Sequence, residues 1–413
     1  MRFSRVSNGG ICAVLAAACA TTSGSPVSTG GTPPAGPRWV STWMASQQLT
    51  EPRNMPPAPG VDGSTLRQVI RAGIGGEQIR LRLSNVFGSN PVRIMSTHIA
   101  QSRGGSAISP ATDRAVTFAG ADSVVIQPGE TVVSDPFAYV VAPFADLAVT
   151  MFVPTASPQL TGHPGSRATS FLIAGDHVTD PVLASAATTE HWYLLAGLDV
   201  VVNDDAAAVV TMGNSITDGH GAGTDRNDRW PDDLAQRLQA NSPTKRVSVL
   251  NAGIGGNTVL TGGLGPTALS RFDRDVLGED GVRWLIVFEG VNDIGGARQP
   301  GQAAAVAAEL IAAYKQMIVQ ARSHGLRVYG ATITPFGGSF YDSPEREQAR
   351  ETVNQWIRTS GAYDAVIDFD SVMRDPADPH RLAPSGDSGD HLHPNEAGYH
   401  RMADAIHLGL FVR

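Results

Sequence analysis

The pattern of apolar residues changes near residue 200, and this change constrains the fold more than any other feature. In residues 38–200, short runs rich in β-branched residues are separated by Pro, Gly and Asp. Ile79, Leu81 and Leu83 alternate with polar residues, which is the period-two pattern of a half-buried strand. Further runs of this kind lie at residues 115–118, 123–126, 131–133 and 147–153. This region therefore predicts an all-β domain, an antiparallel sandwich or jelly roll.

Residues 201–413 instead alternate short apolar runs with helical stretches. One helix is predicted from Gln302 to His324 by apolar residues at three- and four-residue steps, with Gly325 as its stop. Another is predicted from Pro344 to about Thr359. Strands are predicted at residues 208–212, 247–250, 284–288, 328–332 and 365–369. Five strands with helical crossovers predict an α/β domain with a parallel sheet covered on both faces.

Polar and glycine-rich segments follow several of the predicted parallel strands. They are GNSITDG (213–219), NAGIGGNT (251–258), EGVND (289–293) and, before the last helix, DHLHP (390–394). In an open parallel sheet, sites form beyond the carboxyl ends of the strands. We therefore expect these loops to open onto one edge of the sheet.

Together these loops supply the groups that acyl transfer requires. Ser215 is a candidate nucleophile, His393 a candidate base, and Asp390, three residues earlier, can orient the imidazole. The tetrahedral intermediate needs hydrogen-bond donors for its oxyanion. The backbone N–H groups of Ser215 and Gly256 and the side-chain amide of Asn292 are the candidate donors.

The four segments occur in the order typical of the SGNH, or GDSL, hydrolase family, and the chain resembles that family. GNSITDG is similar to its nucleophile block, NAGIGGNT to its glycine block, GVND to Gly-x-Asn-Asp and DHLH to Asp-x-x-His. The resemblance implies a flavodoxin-like three-layer αβα domain and ester hydrolysis without a metal or other cofactor. It makes Ser215 the nucleophile, Asp390 and His393 its partners, and Gly256 and Asn292 oxyanion donors.

A narrower resemblance concerns the bacterial branch similar to esterases of xylan-degradation operons. It rests on residues 227–238, 251–265 and 288–295. That branch often carries an extra N-terminal β-domain. The resemblance implies a short-chain, acetyl ester on plant cell-wall carbohydrate as substrate.

One residue departs from the family pattern. The family usually has Asp immediately before the serine, where this chain has Asn214. The Asp is expected to shape the loop by accepting backbone hydrogen bonds, and Asn keeps one acceptor oxygen but loses the charge. We expect hydrolysis to persist at a reduced rate.

Several alternatives compete with these assignments. His391 is a second candidate base, Gly255 a second candidate oxyanion donor, and Asp293 is interpreted as structural. A carbohydrate-binding protein with an inert hydrolase domain is a second function. A metal-dependent hydrolase is a third, with ligands from His391, His393, His400, Asp387 and Asp390.

The N-terminus predicts export. In residues 1–20, a basic start precedes a short apolar run and small residues, as in a signal segment. Cys19 lies where a bacterial lipoprotein signal is cleaved, so membrane attachment through a lipidated Cys19 is one expectation. Residues 21–37 are a Ser/Thr/Gly/Pro linker.

The charge balance bears on partners. The formal net charge is -8, and no basic cluster stands out, so nucleic acid is not an expected partner.

Overall fold

The N-terminal part of the chain is built from antiparallel strands. The computed structural model describes residues 38–203 and 205–412, so the predicted export signal, Cys19 and the linker lie outside the described residues. The strands are β1 (Arg38–Met44), β2 (Gln48–Leu49), β3 (Ser64–Arg71), β4 (Gly76–Ser84), β5 (Val92–Ile94), β6 (Ser96–Gln101), β7 (Arg114–Ala115), β8 (Val124–Ile126), β9 (Thr131–Val133), β10 (Phe137–Val141), β11 (Asp146–Val153), β12 (Thr161–His163), β13 (Ser170–Ala174), β14 (Ala187–Thr189), β15 (Trp192–Tyr193) and β16 (Leu195–Val202). The helical turns described between them are 3₁₀ turns at Pro52–Asn54 and Pro110–Thr112.

Two larger sheets organise this β region, which comprises residues 38–202. One has the order β1-β16-β4-β10, with β9 also paired to β4, and the other has the order β14-β13-β3-β11-β6-β7. Smaller sheets join β15, β12 and β2, and β5 with β8. Leu81 and Leu198 from the first large sheet share one core with Leu66 and Val149 from the second. The predicted antiparallel β architecture is confirmed.

Strand β4 shows how the alternation of apolar and polar residues corresponds to burial. Ile79, Leu81 and Leu83 are fully buried, while Arg80 and Arg82 alternate with them on the other face. The prediction for residues 115–118 was wrong in part, because the strand ends at Ala115. Val116 and Phe118 are buried without continuing the ladder, so they gave an apolar signal that did not come from a strand.

The C-terminal part, called here the hydrolase region (residues 207–412), alternates strands and helices. Its strands are β17 (Ala207–Gly213), β18 (Val247–Gly253), β19 (Val282–Phe288), β20 (Arg327–Ala331) and β21 (Ala365–Ile367). Its helices are α1 (Ser215–Asp218), α2 (Trp230–Ala240), α3 (Ala268–Phe272), α4 (Val291–Gly295), α5 (Gln302–Ser323), α6 (Pro344–Thr359), α7 (Phe369–Met373) and α8 (Glu396–Asp404). A π-helical turn lies at Asp273–Leu277, and 3₁₀ turns lie at Pro384–Gly386 and Leu408–Phe411.

The five strands form a parallel sheet in the order β18-β17-β19-β20-β21, which is the flavodoxin-like order 2-1-3-4-5. Successive residues of its strands face opposite layers. Val209 and Ile286 pack with residues of α2 and α8. Val210 and Leu285 pack with residues of α5 and α6, in a core that continues into the β region. The predicted three-layer fold is therefore confirmed.

The ends of these elements follow local sequence signals. Helix α5 ends one residue before its C-cap His324, and Gly325 has a φ of +77°, as a helix stop requires. Ser343 caps α6 by accepting a hydrogen bond from the Arg346 N–H. The last strand is shorter than the predicted 365–369. Asp368 caps a new helix by accepting from the Ser371 N–H, and Phe369 already belongs to α7.

Buried ion pairs join the two regions. Arg82 in β4 donates to both carboxylate oxygens of Glu279, which precedes β19. The side chain of Arg82 is 13% exposed and that of Glu279 is 4% exposed. All described residues belong to one compact unit. Among them, no helix combines the length and apolarity needed to cross a membrane.

Candidate active site

Ser215 is the first residue of α1, immediately after β17. Asn214 caps this helix, because its Oδ1 accepts from the Ile216 N–H at 3.1 Å. Its Nδ2 lies 3.4 Å from Glu289 Oε2. Asn214 therefore makes one backbone hydrogen bond of the kind expected from the family's Asp, and adds no charge to the loop.

Ser215 and His393 meet despite their separation in the sequence. Ser215 Oγ lies 2.8 Å from His393 Nε2, and His393 Nδ1 lies 2.6 Å from Asp390 Oδ2. The carboxylate accepts a hydrogen bond from Nδ1–H, which assigns Nε2 as the nitrogen that accepts the serine proton. The other oxygen of Asp390 accepts from the N–H groups of Leu392 and His393 at 3.0 and 2.8 Å. The loop that carries the imidazole is thus fixed by the same carboxylate that orients it.

Burial and hydrogen bonds together set the charge states of His393 and Asp390. His393 is 8% exposed, and burial lowers its pKa below 6.5, although the hydrogen bond and charge of Asp390 oppose the shift. Partial burial acts to raise the pKa of Asp390, but hydrogen bonds from His393 and from backbone N–H groups hold it well below its usual range. At neutral pH the imidazole is therefore neutral and the carboxylate ionised, as a base and its orienting group require.

The side chain of Asn292, in α4, is held in one orientation. Its Oδ1 accepts from the Tyr341 hydroxyl at 3.0 Å, and its Nδ2 donates to the Asn257 carbonyl at 2.7 Å. An amide nitrogen carries two hydrogens. One N–H of Asn292 therefore remains for a further acceptor.

Gly256 lies in the loop after β18 with a φ of +68°, a conformation that favours glycine. An added Cβ would lie 3.1 Å from the Leu264 side chain. In the described chain, the backbone N–H groups of Gly256 and Ser215 donate to no protein acceptor. The alternative, Gly255, lies against Asp218, with 3.5 Å between its added Cβ and Asp218 Oδ2.

Asp293 stabilises this loop, in keeping with its structural interpretation. Its carboxylate accepts from the Val259 and Leu260 N–H groups at 2.9 Å each. Burial raises the pKa of Asp293 to about 6. The residue after Asn292 thus anchors the loop that carries Gly256.

Buried Arg271 connects the carboxyl ends of β17 and β18 with the loop that follows β18. Its guanidinium donates to the carbonyls of Gly213 and Ala252 and to Asn257 Oδ1. Nearby, burial raises the pKa of Glu289 to about 8, so this side chain is largely protonated at neutral pH. Neither residue was predicted to have such a role, because Arg271 lies outside the four segments and Glu289 directly precedes the Gly-x-Asn-Asp residues.

Other side chains near the imidazole were also missed. The His220 ring lies 4.1 Å from the His393 ring, between centroids, and burial lowers the pKa of His220. From the β region, Arg167 Nε donates to the Gly219 carbonyl at 3.1 Å, and its charge contributes to lowering the pKa of His393. Position 167 carries no sequence signal, since its contact depends on how the two regions pack.

His391, the alternative base, pairs with Asp387, and the candidate metal ligands do not form a single cluster. His391 Nδ1 bonds Asp387 at 2.6 Å, and His400 lies 3.5 Å from Asp233 and from Asp404. Of the predicted ligands, only Asp390 and His393 belong to a described group that can hold a metal ion, together with His220. Both nitrogens of His393 already bond Asp390 and Ser215, so these residues fit a base better than a ligand set.

Comparisons with known proteins concern the hydrolase region. Residues 211–401 match the GDSL-like lipase/acylhydrolase family. No curated protein matches the chain.

Solved structures similar to this chain include a G-D-S-L family protein from Desulfitobacterium hafniense DCB-2, with 23% identity, 48% of this chain and 97% of that one covered, and a TM-score of 0.38. A GDSL-like lipase from Bacteroides thetaiotaomicron VPI-5482 has 20% identity, coverage of 48% and 84%, and a TM-score of 0.35. Axe2, an acetylxylan esterase from Geobacillus stearothermophilus, has 20% identity, coverage of 48% and 93%, and a TM-score of 0.36.

The family match includes the nucleophile, glycine, Gly-x-Asn-Asp and Asp-x-x-His segments, in the order that the sequence analysis describes. These segments meet at one edge of a flavodoxin-like sheet. Residues 211–401 therefore match the GDSL-like lipase/acylhydrolase family, which supports a hydrolase that acts on esters.

Proposed function

We propose that the chain is a serine esterase that acts through Ser215, His393 and Asp390. The supporting observation is the continuous line from Ser215 Oγ to His393 Nε2 at 2.8 Å and from His393 Nδ1 to Asp390 at 2.6 Å. A nucleophile, a base and an orienting group in this arrangement are what acyl transfer to a serine needs.

In the acylation step, Ser215 Oγ attacks the ester carbonyl while His393 Nε2 takes the hydroxyl proton. Asp390 stabilises the imidazolium that forms. The oxyanion receives hydrogen bonds from the Ser215 and Gly256 N–H groups and from the remaining N–H of Asn292. The imidazolium then protonates the leaving alcohol, and the acyl group stays on Ser215.

In the deacylation step, water takes the place of the alcohol. His393 accepts a proton from the water as it attacks the acyl-enzyme, and the same donors stabilise the second oxyanion. Collapse of this intermediate releases the acid, and His393 returns the proton to Ser215 Oγ. No metal or cofactor is part of the proposed reaction.

The first test replaces the nucleophile. Ser215→Ala is expected to fold normally and to lose hydrolysis of p-nitrophenyl acetate by several orders of magnitude. In the wild type, a serine-directed organophosphate should inhibit and a chelator should not. Turnover by the mutant comparable to wild type would refute the serine mechanism, and inhibition by the chelator alone would favour the metal-dependent alternative.

We propose acetyl groups on plant cell-wall carbohydrate as the natural substrate class. This proposal is supported by the resemblance of residues 227–238, 251–265 and 288–295 to esterases of xylan-degradation operons. Acetate release from acetylated xylan, other acetylated polysaccharides and simple esters tests it. Binding to insoluble xylan without hydrolysis of any short ester would favour the inert binding protein instead.

We also propose that the protein acts outside the cytoplasm, on the support of residues 1–20. Cell fractionation of the expressed full chain tests the location. Labelling with a radioactive fatty acid, compared between wild type and Cys19→Ser, tests lipidation. Cytoplasmic protein of full length would overturn this proposal without affecting the esterase proposal.

A further inference from the structure

A buried hydrogen bond joins the β region to the short helix that carries Ser215. His163 is the last residue of β12, and Asp218 is the last residue of α1. His163 Nε2 lies 2.9 Å from Asp218 Oδ1, and both side chains are 4% exposed. The β region therefore contacts the nucleophile helix directly, at the end opposite Ser215.

The partners of His163 fix the orientation of its ring. Nδ1 lies 2.8 Å from the Ser46 carbonyl, which can only accept, so Nδ1 carries a proton. His163 Nε2 lies within hydrogen-bonding distance of the Asp218 carboxylate, so both ring nitrogens face a polar partner. Rotation of the ring would break both bonds in a buried site, where unpaired polar groups are costly.

Close backbone packing holds Asp218 on two sides. A Cβ added to Gly165, in the loop after β12, would lie 1.8 Å from Asp218 Oδ2. A Cβ added to Gly253, at the end of β18, would lie 2.3 Å from the Asp218 backbone nitrogen. Neither position admits a side chain without movement of Asp218. The helix is thus confined between the β region and the parallel sheet.

Helix α1 needs such support because it has four residues. Isolated helices of this length are unstable, since few hydrogen bonds offset the cost of ordering the backbone. Its backbone bonds run from the Thr217 and Asp218 N–H groups to the Asn214 carbonyl and from those of Gly219 and His220 to the Ser215 carbonyl. Movement of Asp218 would therefore be transmitted to Ser215.

We propose that His163 is a positioning residue for catalysis: through Asp218 it fixes α1, and with it Ser215 Oγ and the Ser215 N–H, in the geometry that His393 and the substrate require. The β region is then a working part of the active site. This inference rests on the proposed serine esterase function and extends it to the second region of the chain.

The primary test compares His163→Ala with Asp280→Asn. Asp280 pairs with Arg80 across the same two regions, but it precedes β19, at the opposite end of the sheet from Ser215. For p-nitrophenyl acetate, His163→Ala should lower kcat roughly 10–100-fold, since small misplacements cost this much, with KM little changed. Asp280→Asn should leave kcat close to wild type.

Two further variants keep the test decisive if His163→Ala does not fold. His163→Phe keeps a ring stacked on Trp192 and removes both hydrogen bonds. His163→Gln places an amide nitrogen near the position of Nε2 and can still donate to Asp218. The proposal predicts a large loss of kcat for the Phe variant and partial recovery for the Gln variant.

Hydrogen exchange gives a measurement that does not depend on turnover. The amides of residues 217–220 should exchange faster in His163→Ala or His163→Phe than in wild type and in Asp280→Asn. If the wild type hydrolyses no ester, the proposed function fails while the exchange data still test the positioning of α1. Folded His163 variants with wild-type kcat, or with unchanged exchange at residues 217–220, would overturn the inference.

Discussion

The two regions of this molecule contribute to the active site by different routes. In the hydrolase region, Ser215 follows β17 and Asn292 lies four residues beyond β19, so the parallel sheet itself brings them to one edge. In the β region, His163 reaches the site from the end of β12 and Arg167 from the loop between β12 and β13. Their positions depend on how the regions pack. The comparison indicates that the topology of the parallel sheet brings Ser215 and Asn292 together. Packing between the two regions then adds the contacts made by His163 and Arg167.

The charged side chains of the two regions also have different roles. In the hydrolase region, Asp390 orients a base that accepts protons in the reaction. In the β region, Arg82 is paired with Glu279 away from the reacting groups. We therefore expect substitution of Asp390 or Asn292 in the first region to change rate at constant stability, and substitution of Arg82 or Arg167 in the second to change stability or the pH profile.

Asp390→Asn should have the largest effect, a fall in kcat of roughly 10⁴-fold, because an amide no longer enforces the tautomer with Nδ1 protonated. It also removes the charge that raises the pKa of His393, so the acid limb of kcat/KM should move to lower pH. In wild type that limb should lie below pH 6.5, since the neutral imidazole is the active form. Rates with p-nitrophenyl acetate between pH 4 and 9 measure both effects.

The matched control is Asp387→Asn, which removes the carboxylate bonded to His391 in the same loop. It should leave kcat near wild type. Equal losses in the two variants would contradict the assignment of His393 as the base.

Arg82→Met should lower the free energy of unfolding by about 3–5 kcal/mol, because it leaves Glu279 buried without its partner. Burial raises the pKa of Glu279, and loss of the guanidinium should raise it further. A folded carboxyl with a raised pKa loses stability as pH rises. The deficit measured by urea unfolding should therefore be smaller at pH 5 than at pH 8, and kcat of the folded fraction should be unchanged.

The control for this prediction is Arg71→Met, which breaks a half-exposed pair with Asp146 inside the β region. Such a pair contributes about 0–1 kcal/mol. A similar decrease in the free energy of unfolding in both variants would contradict the expected contrast. A fall in kcat for folded Arg82→Met would contradict it as well.

Asn292→Ala should lower kcat by roughly 10²–10³-fold through loss of an oxyanion donor. Tyr341→Phe is the graded comparison, since it removes only the hydroxyl that orients the amide at 3.0 Å. Its loss should be smaller than that of Asn292→Ala. Steady-state kinetics with a short ester measure the fall in kcat of both variants. A larger fall in Tyr341→Phe than in Asn292→Ala would mean that Asn292 is not the donor.

Arg167→Gln should have the smallest effect. Its cation lowers the pKa of His393 from the β region, so its removal should raise that pKa and move the acid limb of kcat/KM to higher pH. The plateau rate should change little. A shift in the opposite direction would show that Arg167 does not act on His393 through its charge.

Much of the fold was predictable because it follows from local patterns. The alternation at Ile79, Leu81 and Leu83 and the caps of α5 and α6 report burial and backbone requirements within a few residues. The sheet order followed from the resemblance of the four segments to a known family. Residues 365–369 were harder, since the cap by Asp368 competes with an apolar run.

The residues of the site were likewise predictable only in part. A sequence comparison recognises the segments that contain Ser215, Gly256, Asn292, Asp390 and His393. The roles of these residues stay predictions until variants are measured. His163, Arg167 and Tyr341 were not predicted, because each acts across a long sequence separation, through a contact that only the packed structure defines.

We propose that Ser215 is the nucleophile, aligned by His393 and facing three oxyanion donors. A crystal structure of the protein after reaction with diethyl p-nitrophenyl phosphate tests it directly. The predicted result is a phosphoryl group on Ser215 Oγ, with one oxygen bonded to the N–H groups of Ser215 and Gly256 and to Asn292 Nδ2. An unmodified Ser215, or an adduct whose oxygen faces away from these donors, would contradict it.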